Sequence, residues 1–186
     1  MKILVVGDSC KDVFIYGEIK RLSPEAPVPV LNPLKEVSTH GMAKNVLNNV
    51  EALKVDVFSI TNQNSIRKVR YVDYKSNQLV LRVDEHDFCD RIEKKVLLGI
   101  TDNSCFIPMT GINNFDAIII SDYCKGFLVE DDVKFICENN KNVFVDTKKE
   151  LGDWINSVTY LKINSLEYNS NKKFFNKSDI INKTIV

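Results

Sequence analysis

The chain has 186 residues, of which 44% are hydrophobic and 27% charged, and its 25 basic residues balance 25 acidic ones. This length and apolar content suffice for a folded core and exclude a disordered protein. Because the formal net charge is zero, bulk charge gives no reason to bind nucleic acid or an anionic membrane, and any anion must be bound by a local cluster.

Cysteine spacing and the amino-terminal residues indicate the compartment. The five cysteines are odd in number, widely spaced and without a CxxC pair, which argues against a disulfide framework or a zinc site. The first apolar run, residues 3–6, stops at Gly7 and is too short for a signal peptide, and no run is long enough to span a bilayer. We expect a cytoplasmic protein with no membrane or nucleic-acid partner.

The amino-terminal half combines short apolar runs with one amphipathic segment. The spacing of the apolar residues predicts a buried strand at 2–6, followed by exposed extended segments at 13–17 and 27–31. It then predicts a helix at 41–54, a core strand at 55–60, and a half-exposed hairpin formed by the runs 66–74 and 78–84. Three of the five prolines, Pro24, Pro27 and Pro29, lie in RLSPEAPVPVL at 21–31. Proline fixes φ and removes a backbone donor, so this segment is predicted to be a lid or a sheet edge.

The carboxyl-terminal half alternates helices with strands. We predict a helix at 91–100, a strand at 116–122, a helix at 128–140, strands at 142–146 and 158–164, and a helix with a loop at 167–179. This alternation predicts a parallel sheet covered by helices, which binds ligands at the carboxyl ends of its strands. The polar groups expected along that edge are Gly7-Asp8, Ser121-Asp122, Asp146-Thr147 and Asn164.

A series of short motifs carries the functional information. In order these are GDSCKD, YG, RLSPEAPVPV, HGMAKNV, KVR with NQLVLRVD, SDYCKG, DTKK and NSLE. Their order resembles the PfkB/ribokinase family of sugar kinases, most closely the branch that phosphorylates D-glycero-β-D-manno-heptose 7-phosphate. The resemblance implies an α/β fold with a ribokinase-like parallel-sheet core flanked by helices. It also implies a small β-sheet lid at about 12–37 and 64–85, within one domain over 1–186 whose sheet is incomplete at its carboxyl end.

The same resemblance implies a sugar phosphate as substrate, with ATP and Mg²⁺ as cofactors. Substrate contacts are expected at Asp12, Gly41, Asn45, Lys68, Arg70, Gln78, Arg82, Asp122 and Lys125, and nucleotide contacts at Lys148, Asn164 and Glu167, with Glu167 also organising Mg²⁺ through water. A carboxylate can accept hydrogen bonds from two sugar hydroxyls, and cations suit a phosphate. The family's glycine pair corresponds to His40-Gly41, and its two alanines to Met42-Ala43.

Several of these residues also have plainer interpretations. Asp12 is alternatively a turn or cap acid, the hairpin cations a solvated polar face, and Lys125 a loop cap. The NxxE match has only two residues, and the acidic run at 84–87 is interpreted as a solvated surface in preference to a metal site.

Two departures from the family pattern limit the functional prediction. The family's catalytic aspartate lies in a GAGD motif, whose glycine amides form an anion hole, and this sequence has no glycine after Gly152. TNQNS at 61–65 also replaces a linking helix and strand. We expect no catalytic base within 1–186 and interpret the chain as the amino-terminal portion of a sugar kinase, truncated or completed by a second polypeptide. A homodimer through the lid is a further expectation.

The rival hypotheses are a pseudokinase that binds a sugar phosphate without catalysis and an unrelated α/β interaction domain. The first predicts binding of the sugar phosphate without ATP turnover, and the second predicts neither.

Overall fold

The computed structural model describes residues 1–99, 111–175 and 184–185. Along these residues the strands are β1 (Lys2–Gly7), β2 (Ser9–Leu22), β3 (Pro29–Met42), β4 (Asp56–Thr61), β5 (Ile66–Asp73), β6 (Leu79–Glu85), β7 (Ala117–Asp122), β8 (Val143–Thr147), β9 (Tyr160–Lys162) and β10 (Thr184–Ile185). The α-helices are α1 (Ala43–Glu51), α2 (Lys94–Leu97), α3 (Glu130–Asn139), α4 (Ser165–Ser170) and α5 (Lys172–Phe175).

The larger sheet has six strands in the order β10-β9-β8-β7-β1-β4, and every pairing in it is parallel. Its inner strand β1, between β7 and β4, carries an unbroken apolar run because both of its faces are covered. Leu4, Val5 and Val6 are fully buried there. The predicted parallel-sheet core is confirmed, and the carboxyl ends of β1, β7, β8 and β9 lie along one edge.

The smaller sheet, called the lid sheet below, has the order β3-β2-β5-β6. β2 pairs with β3 antiparallel and with β5 parallel, and β5 and β6 form the predicted hairpin. The extended segments predicted at 13–17 and 27–31 were too short, because β2 and β3 pair with each other over almost their whole lengths. Pro29 and Pro33 lie in β3, an edge strand, where a missing backbone donor costs no ladder hydrogen bond on the open side.

Three predicted helices have different bounds. The helix predicted at 41–54 begins at Ala43, since β3 continues through Met42. Of the helix predicted at 91–100, only α2 forms within the described residues, and residue 100 lies outside them. Hydrogen bonds from Arg91 to Asp132 and from the Ile92 N–H to the Phe127 carbonyl hold the preceding residues in a non-helical path. The segment predicted at 167–179 contains most of α4 and all of α5, while 176–179 lie outside the described residues.

The cysteines in the described ranges are free thiols. Cys10, Cys89 and Cys137 are buried and Cys124 is exposed, whereas Cys105 lies outside those ranges. None of the helices in the part of the chain that the structure describes is both long and apolar enough to cross a membrane.

Candidate functional site

A polar cavity of about 570 Å³ lies between the inner face of the lid sheet and the carboxyl edge of the larger sheet. We call it the acceptor cavity. It brings together six of the predicted substrate residues, Asp12, Gly41, Asn45, Lys68, Arg70 and Arg82. Its other lining residues are Cys10, Phe14, Thr39, His40, Met42, Tyr123 and Lys148.

Strand register explains how the lid sheet presents these side chains. Asp12 on β2 lies opposite Thr39 on β3 and opposite Lys68 on β5. Because alternate residues of a strand share a face, Arg70 follows Lys68 on the cavity side and lies opposite Arg82 on β6. The alternating pattern that predicted a half-exposed hairpin therefore directs its cations toward the cavity.

Asp12 lies within β2, near the start of the strand, and is neither a turn nor a helix-cap acid. Its Oδ1 accepts a hydrogen bond from Arg70 Nη1 at 2.6 Å, and each of the two side chains is 22% exposed. The Arg70 guanidinium carbon lies 5.1 Å from the Phe14 ring centroid, which further fixes the arginine. The carboxylate is thus oriented and still accessible to a hydroxyl donor from a ligand.

Cys10 lies beside this carboxylate, with Sγ 3.8 Å from Oδ2 of Asp12. Burial, with the charge of Asp12, raises the pKa of the Cys10 thiol to about 11. Cys10 is therefore a neutral thiol at physiological pH and not a nucleophile.

The cations of the cavity differ in how far they are neutralised. Arg82 donates two hydrogen bonds to Asp84, at 2.7 and 2.8 Å, which lowers the pKa of that carboxyl. Lys68 and Lys148 instead lie 5.9 and 4.7 Å from the centroid of the Tyr123 ring. Among the described residues, neither ammonium forms an ion pair with a carboxylate, so both remain able to neutralise an anionic ligand.

Tyr123 was not predicted as a site residue. Its position depends on Asp8, a buried carboxylate at the end of β1 that accepts hydrogen bonds from the N–H groups of Tyr123, Lys125 and Phe127 at 2.6, 3.4 and 3.3 Å. Burial and the nearby charge of Asp122 raise the pKa of Asp8. Two features of the sequence could have indicated Tyr123 as a site residue: the acid Asp8 directly after β1, and the position of this aromatic residue directly after β7.

Three predicted substrate residues do not line the acceptor cavity. Gln78 is exposed at the hairpin turn, where its N–H donates to Ser76 Oγ. Lys125 Nζ forms an ion pair with Asp87 at 2.5 Å. Both side chains therefore lie apart from the side chains that the cavity brings together.

The third of these residues, Asp122, is buried beneath the loop that follows β7. Its carboxylate accepts hydrogen bonds from the Cys124 N–H, from Thr147 Oγ1 at 2.7 Å and from Lys149 Nζ at 2.9 Å. Burial acts to lower the pKa of Lys149, but the hydrogen bond and charge of Asp122 outweigh it and raise that pKa. Asp122 thus supports the loop from below.

The acidic run at 84–87 supplies ion pairs. Asp84 binds Arg82, Glu85 binds Arg67 and Asp87 binds Lys125. In the described ranges no group of three or more His, Cys, Asp or Glu side chains is placed to hold a metal ion.

Two of the three predicted nucleotide residues, Lys148 and Glu167, line a second cavity of about 420 Å³, which we call the donor cavity, whereas Asn164 does not line it. Asn164 and Glu167 form a capping box at the start of α4, in which the Asn164 N–H donates to Glu167 Oε2 at 2.8 Å and the Glu167 N–H donates to Asn164 Oδ1 at 2.9 Å. Lys148 lines both the acceptor and the donor cavities.

Lys162, which was not predicted, contributes another cation near the donor cavity. Its Nζ forms an ion pair with Asp146 at 2.9 Å, and this hydrogen bond raises the pKa of Lys162.

Comparison with known proteins identifies the family. No protein-family model matches the chain. The bifunctional protein HldE of Campylobacter jejuni serotype O:2 is 31% identical over 200 residues, covering 94% of this chain and 42% of that protein. HldE of Helicobacter pylori strain J99 is 34% identical over 154 residues, covering 68% of this chain and 32% of that protein. The chain thus spans less than half the length of these curated relatives.

Solved structures with the same fold include sugar kinases. A carbohydrate kinase from Agrobacterium tumefaciens aligns with a TM-score of 0.52 and 13% identity, over 91% of this chain and 62% of that one. Arabidopsis thaliana ribokinase, solved with ribose and ATP, aligns with a TM-score of 0.53 and 10% identity, over 92% and 62%. At these identities the likeness shows a ribokinase-like fold. Together with the homology to HldE, it shows that the chain belongs to the PfkB/ribokinase family of carbohydrate kinases.

Proposed function

We propose that this protein is a sugar-phosphate kinase, which transfers a phosphoryl group from ATP to a hydroxyl of a heptose 7-phosphate-like acceptor. The observation that carries the proposal is the oriented carboxylate of Asp12 in a cavity that also holds the ammonium groups of Lys68 and Lys148, which have no carboxylate partner among the described residues. A carboxylate binds hydroxyls and ammonium groups bind phosphate, and a phosphorylated sugar carries both. Homology to HldE and the heptose-kinase motifs support this acceptor class.

In this proposal the acceptor lies between the lid sheet and the start of α1. Asp12 accepts hydrogen bonds from its hydroxyls, Asn45 contacts the sugar from the first turn of α1, and the backbone at Gly41 contacts it from the end of β3. Lys68, with the guanidinium groups of Arg70 and Arg82, neutralises the acceptor's phosphate.

The nucleotide is proposed to bind on the donor-cavity side, with contacts from Lys148, Asn164 and Glu167. The donor cavity is lined by the carboxylates of Glu150 and Glu167, of which Glu167 is the one proposed to organise Mg²⁺ through water. The ion would be held mainly by water and by the nucleotide phosphates and would supply charge neutralisation during transfer. Since Lys148 lines both cavities, it is positioned to contact donor and acceptor phosphates alike. We assign the general base to a GAGD-type segment outside residues 1–186, as the family resemblance implies.

Calorimetric binding of D-glycero-β-D-manno-heptose 7-phosphate tests the proposal. We expect binding of this compound, much weaker binding of the heptose without its phosphate, and at least a tenfold loss of affinity in Asp12→Asn. Asp116→Asn, a change far from the cavity, serves as the control. Absence of phosphosugar binding contradicts the proposal.

ADP formation with Mg²⁺ and ATP tests catalysis separately. Turnover by residues 1–186 alone at a rate typical of kinases, above about 1 per second, would contradict the assignment of the base. Sugar-phosphate binding without turnover, even when this chain is joined to a GAGD-bearing segment, favours the pseudokinase alternative.

For the assembly we propose that a second copy covers the outer face of the lid sheet. Ile15, Tyr71 and Leu81 lie opposite one another on β2, β5 and β6, on the face away from Arg82, and Leu81 is 54% exposed. Ile15 and Tyr71 are half-buried, and a partly exposed apolar row of this kind is typical of an interaction surface. The tetrameric form of Escherichia coli phosphofructokinase-2, which has the same fold, supports association. Light scattering should show a dimer that Leu81→Lys dissociates and Leu166→Lys leaves intact; a monomeric wild type contradicts it.

A further inference from the structure

Met42 adopts a backbone conformation that side chains disfavour. At the junction of β3 and α1 its φ is 56° and its ψ is −133°, a region occupied mainly by glycine. In the described residues the other non-glycine positions with positive φ, Lys54, Asn77, His86 and Cys124, lie in turns and loops. Met42 differs from them because it is 7% exposed and lines the acceptor cavity.

Two neighbouring contacts impose this conformation. Met42 pairs with Ser9 at the last position of the β2–β3 ladder, and the next N–H, that of Ala43, donates to the Asp8 carbonyl at 2.9 Å. The chain must therefore leave the lid sheet and enter α1 within one residue. Strain of this kind persists only where the surrounding structure holds it, and such positions cluster at ligand sites.

The side chain of Met42 lies between the main core and the cavity. It belongs to the large apolar cluster and also lines the acceptor cavity beside Gly41 and Asn45, the residues of the proposed sugar site on either side of the junction of β3 and α1. A glycine would adopt this backbone without strain but would leave that space open. The thioether chain thus occupies volume that a ligand would otherwise enter.

We infer that Met42 is a specificity-determining residue whose side chain limits the size of the acceptor at the floor of the cavity. The inference rests on the proposed function. The Met42 side chain would exclude acceptors that carry an extra substituent on the sugar ring, because a filled pocket discriminates between ligands by their volume.

Calorimetric affinities for a pair of ligands test the size limit. The probes are mannose 6-phosphate and N-acetylmannosamine 6-phosphate, which differ in ring bulk and share the phosphate. We expect the ratio of the two affinities to shift toward the bulkier compound by about tenfold in Met42→Ala and Met42→Gly. A shift of this size is typical of the discrimination that a few heavy atoms provide in an apolar pocket. Met42→Leu, which conserves volume, should keep the wild-type ratio. Val133→Ala, a buried truncation on α3, controls for general loosening of the core.

An unchanged ratio in both truncated variants overturns the inference, as does an equal shift in Val133→Ala. Thermal unfolding supplies a readout independent of ligand. In ordinary backbone glycine is less stabilising than alanine, but at positive φ this order reverses, so Met42→Gly should melt at a higher temperature than Met42→Ala. The opposite order contradicts the strained conformation. If the wild type binds no sugar phosphate, the proposed function fails while the melting order still reports on the backbone.

Discussion

A β-carbon added to Gly41 would lie 2.1 Å from Oδ2 of Asp12 and 2.6 Å from Sγ of Cys10. Gly41 on β3 pairs with Cys10 on the adjacent antiparallel strand β2, two residues before Asp12, so the positions of Gly41 and Asp12 meet diagonally on the cavity face. The absence of a side chain at 41 creates the room in which the carboxylate sits. The role of this glycine is therefore spatial, and it belongs to the acceptor cavity together with the acid that it accommodates.

Gly41→Ala should displace the Asp12 carboxylate from Arg70. The new methyl group cannot be accommodated without such movement, since Asp12 is held by both the ion pair and the strand. We expect at least a tenfold loss of sugar-phosphate affinity and about 1–3 kcal/mol of lost stability, the usual cost of overpacking. Calorimetry and urea unfolding measure the two effects. Gly152→Ala, whose β-carbon would meet only the Trp154 ring at 3.2 Å, should keep the affinity; unchanged affinity in Gly41→Ala contradicts this account.

Arg70 and Arg67 on β5 allow a controlled comparison, because their side chains point to opposite faces of the lid sheet. Arg70 binds Asp12 in the cavity, whereas Arg67 binds Glu85 at 2.7 Å on the outer side. Arg70→Ala should leave Asp12 unpaired, cost about 1–3 kcal/mol of stability and reduce sugar-phosphate affinity more than tenfold. Arg67→Ala removes a more exposed pair, so we expect about 0.2–1 kcal/mol and no change in affinity. Equal effects of the two variants on calorimetric affinity would contradict the orientation of the lid.

Lys148→Met should weaken two ligands at once. Because Lys148 lines both cavities, its charge is available to the phosphates of the sugar and of the nucleotide. We expect a loss of about tenfold in affinity for heptose 7-phosphate and for ATP with Mg²⁺, together with a weaker salt dependence of both. Titrations at two ionic strengths measure this. Lys172→Met, an exposed change on α5, should alter neither of the two affinities. If Lys148→Met weakened the binding of one ligand alone, Lys148 would belong to a single site.

Asp8→Asn should change how stability depends on pH. The folded-state pKa of Asp8 lies above its ordinary value of 3.8 because of burial and the charge of Asp122. For a raised pKa the stabilising contribution is fully present below the unfolded value and is lost as pH rises through the folded value. We therefore expect the wild type to lose stability relative to Asp8→Asn as pH rises above 4, by at most about 1.4 kcal/mol per pH unit.

Urea unfolding of both proteins from pH 4 to 7.5 gives this difference. The control Asp153→Asn changes an exposed carboxyl, so its free energy of unfolding relative to the wild type should vary little with pH. If the difference between Asp8→Asn and the wild type were also independent of pH, the pKa of the Asp8 carboxyl would not be perturbed.

Much of the larger sheet followed from local patterns. The apolar runs of β1, β7 and β8 have the length and composition of buried parallel strands, and turn residues mark their carboxyl ends. The lengths of β2 and β3 could not be predicted in the same way. Exposed strands carry little hydrophobic signal, and the backbone hydrogen bonds that extend β2 and β3 join residues far apart in sequence.

The candidate site was predictable as a set of residue types and only partly as an arrangement. Asp12, Lys68, Arg70 and Arg82 converge because register and alternation direct them to one face. Lys125 and Asp122 have equally suggestive positions in the sequence, yet nearby partners engage both of their side chains. Which cation stays unpaired depends on what packs beside it, and local sequence does not contain that information.

The sequence by itself determined the fold class, the family and the chemical character of the site, because periodicity and motif order are local properties of the chain. Tertiary structure decided which cations face the cavity without a carboxylate partner among the described residues, that two ammonium groups lie near the Tyr123 ring, and that Lys148 belongs to two cavities. It also decided that Gly41 makes room for Asp12 and that Met42 bears the strained turn. These relationships depend on distances between segments far apart along the chain, which only packing of the two sheets establishes.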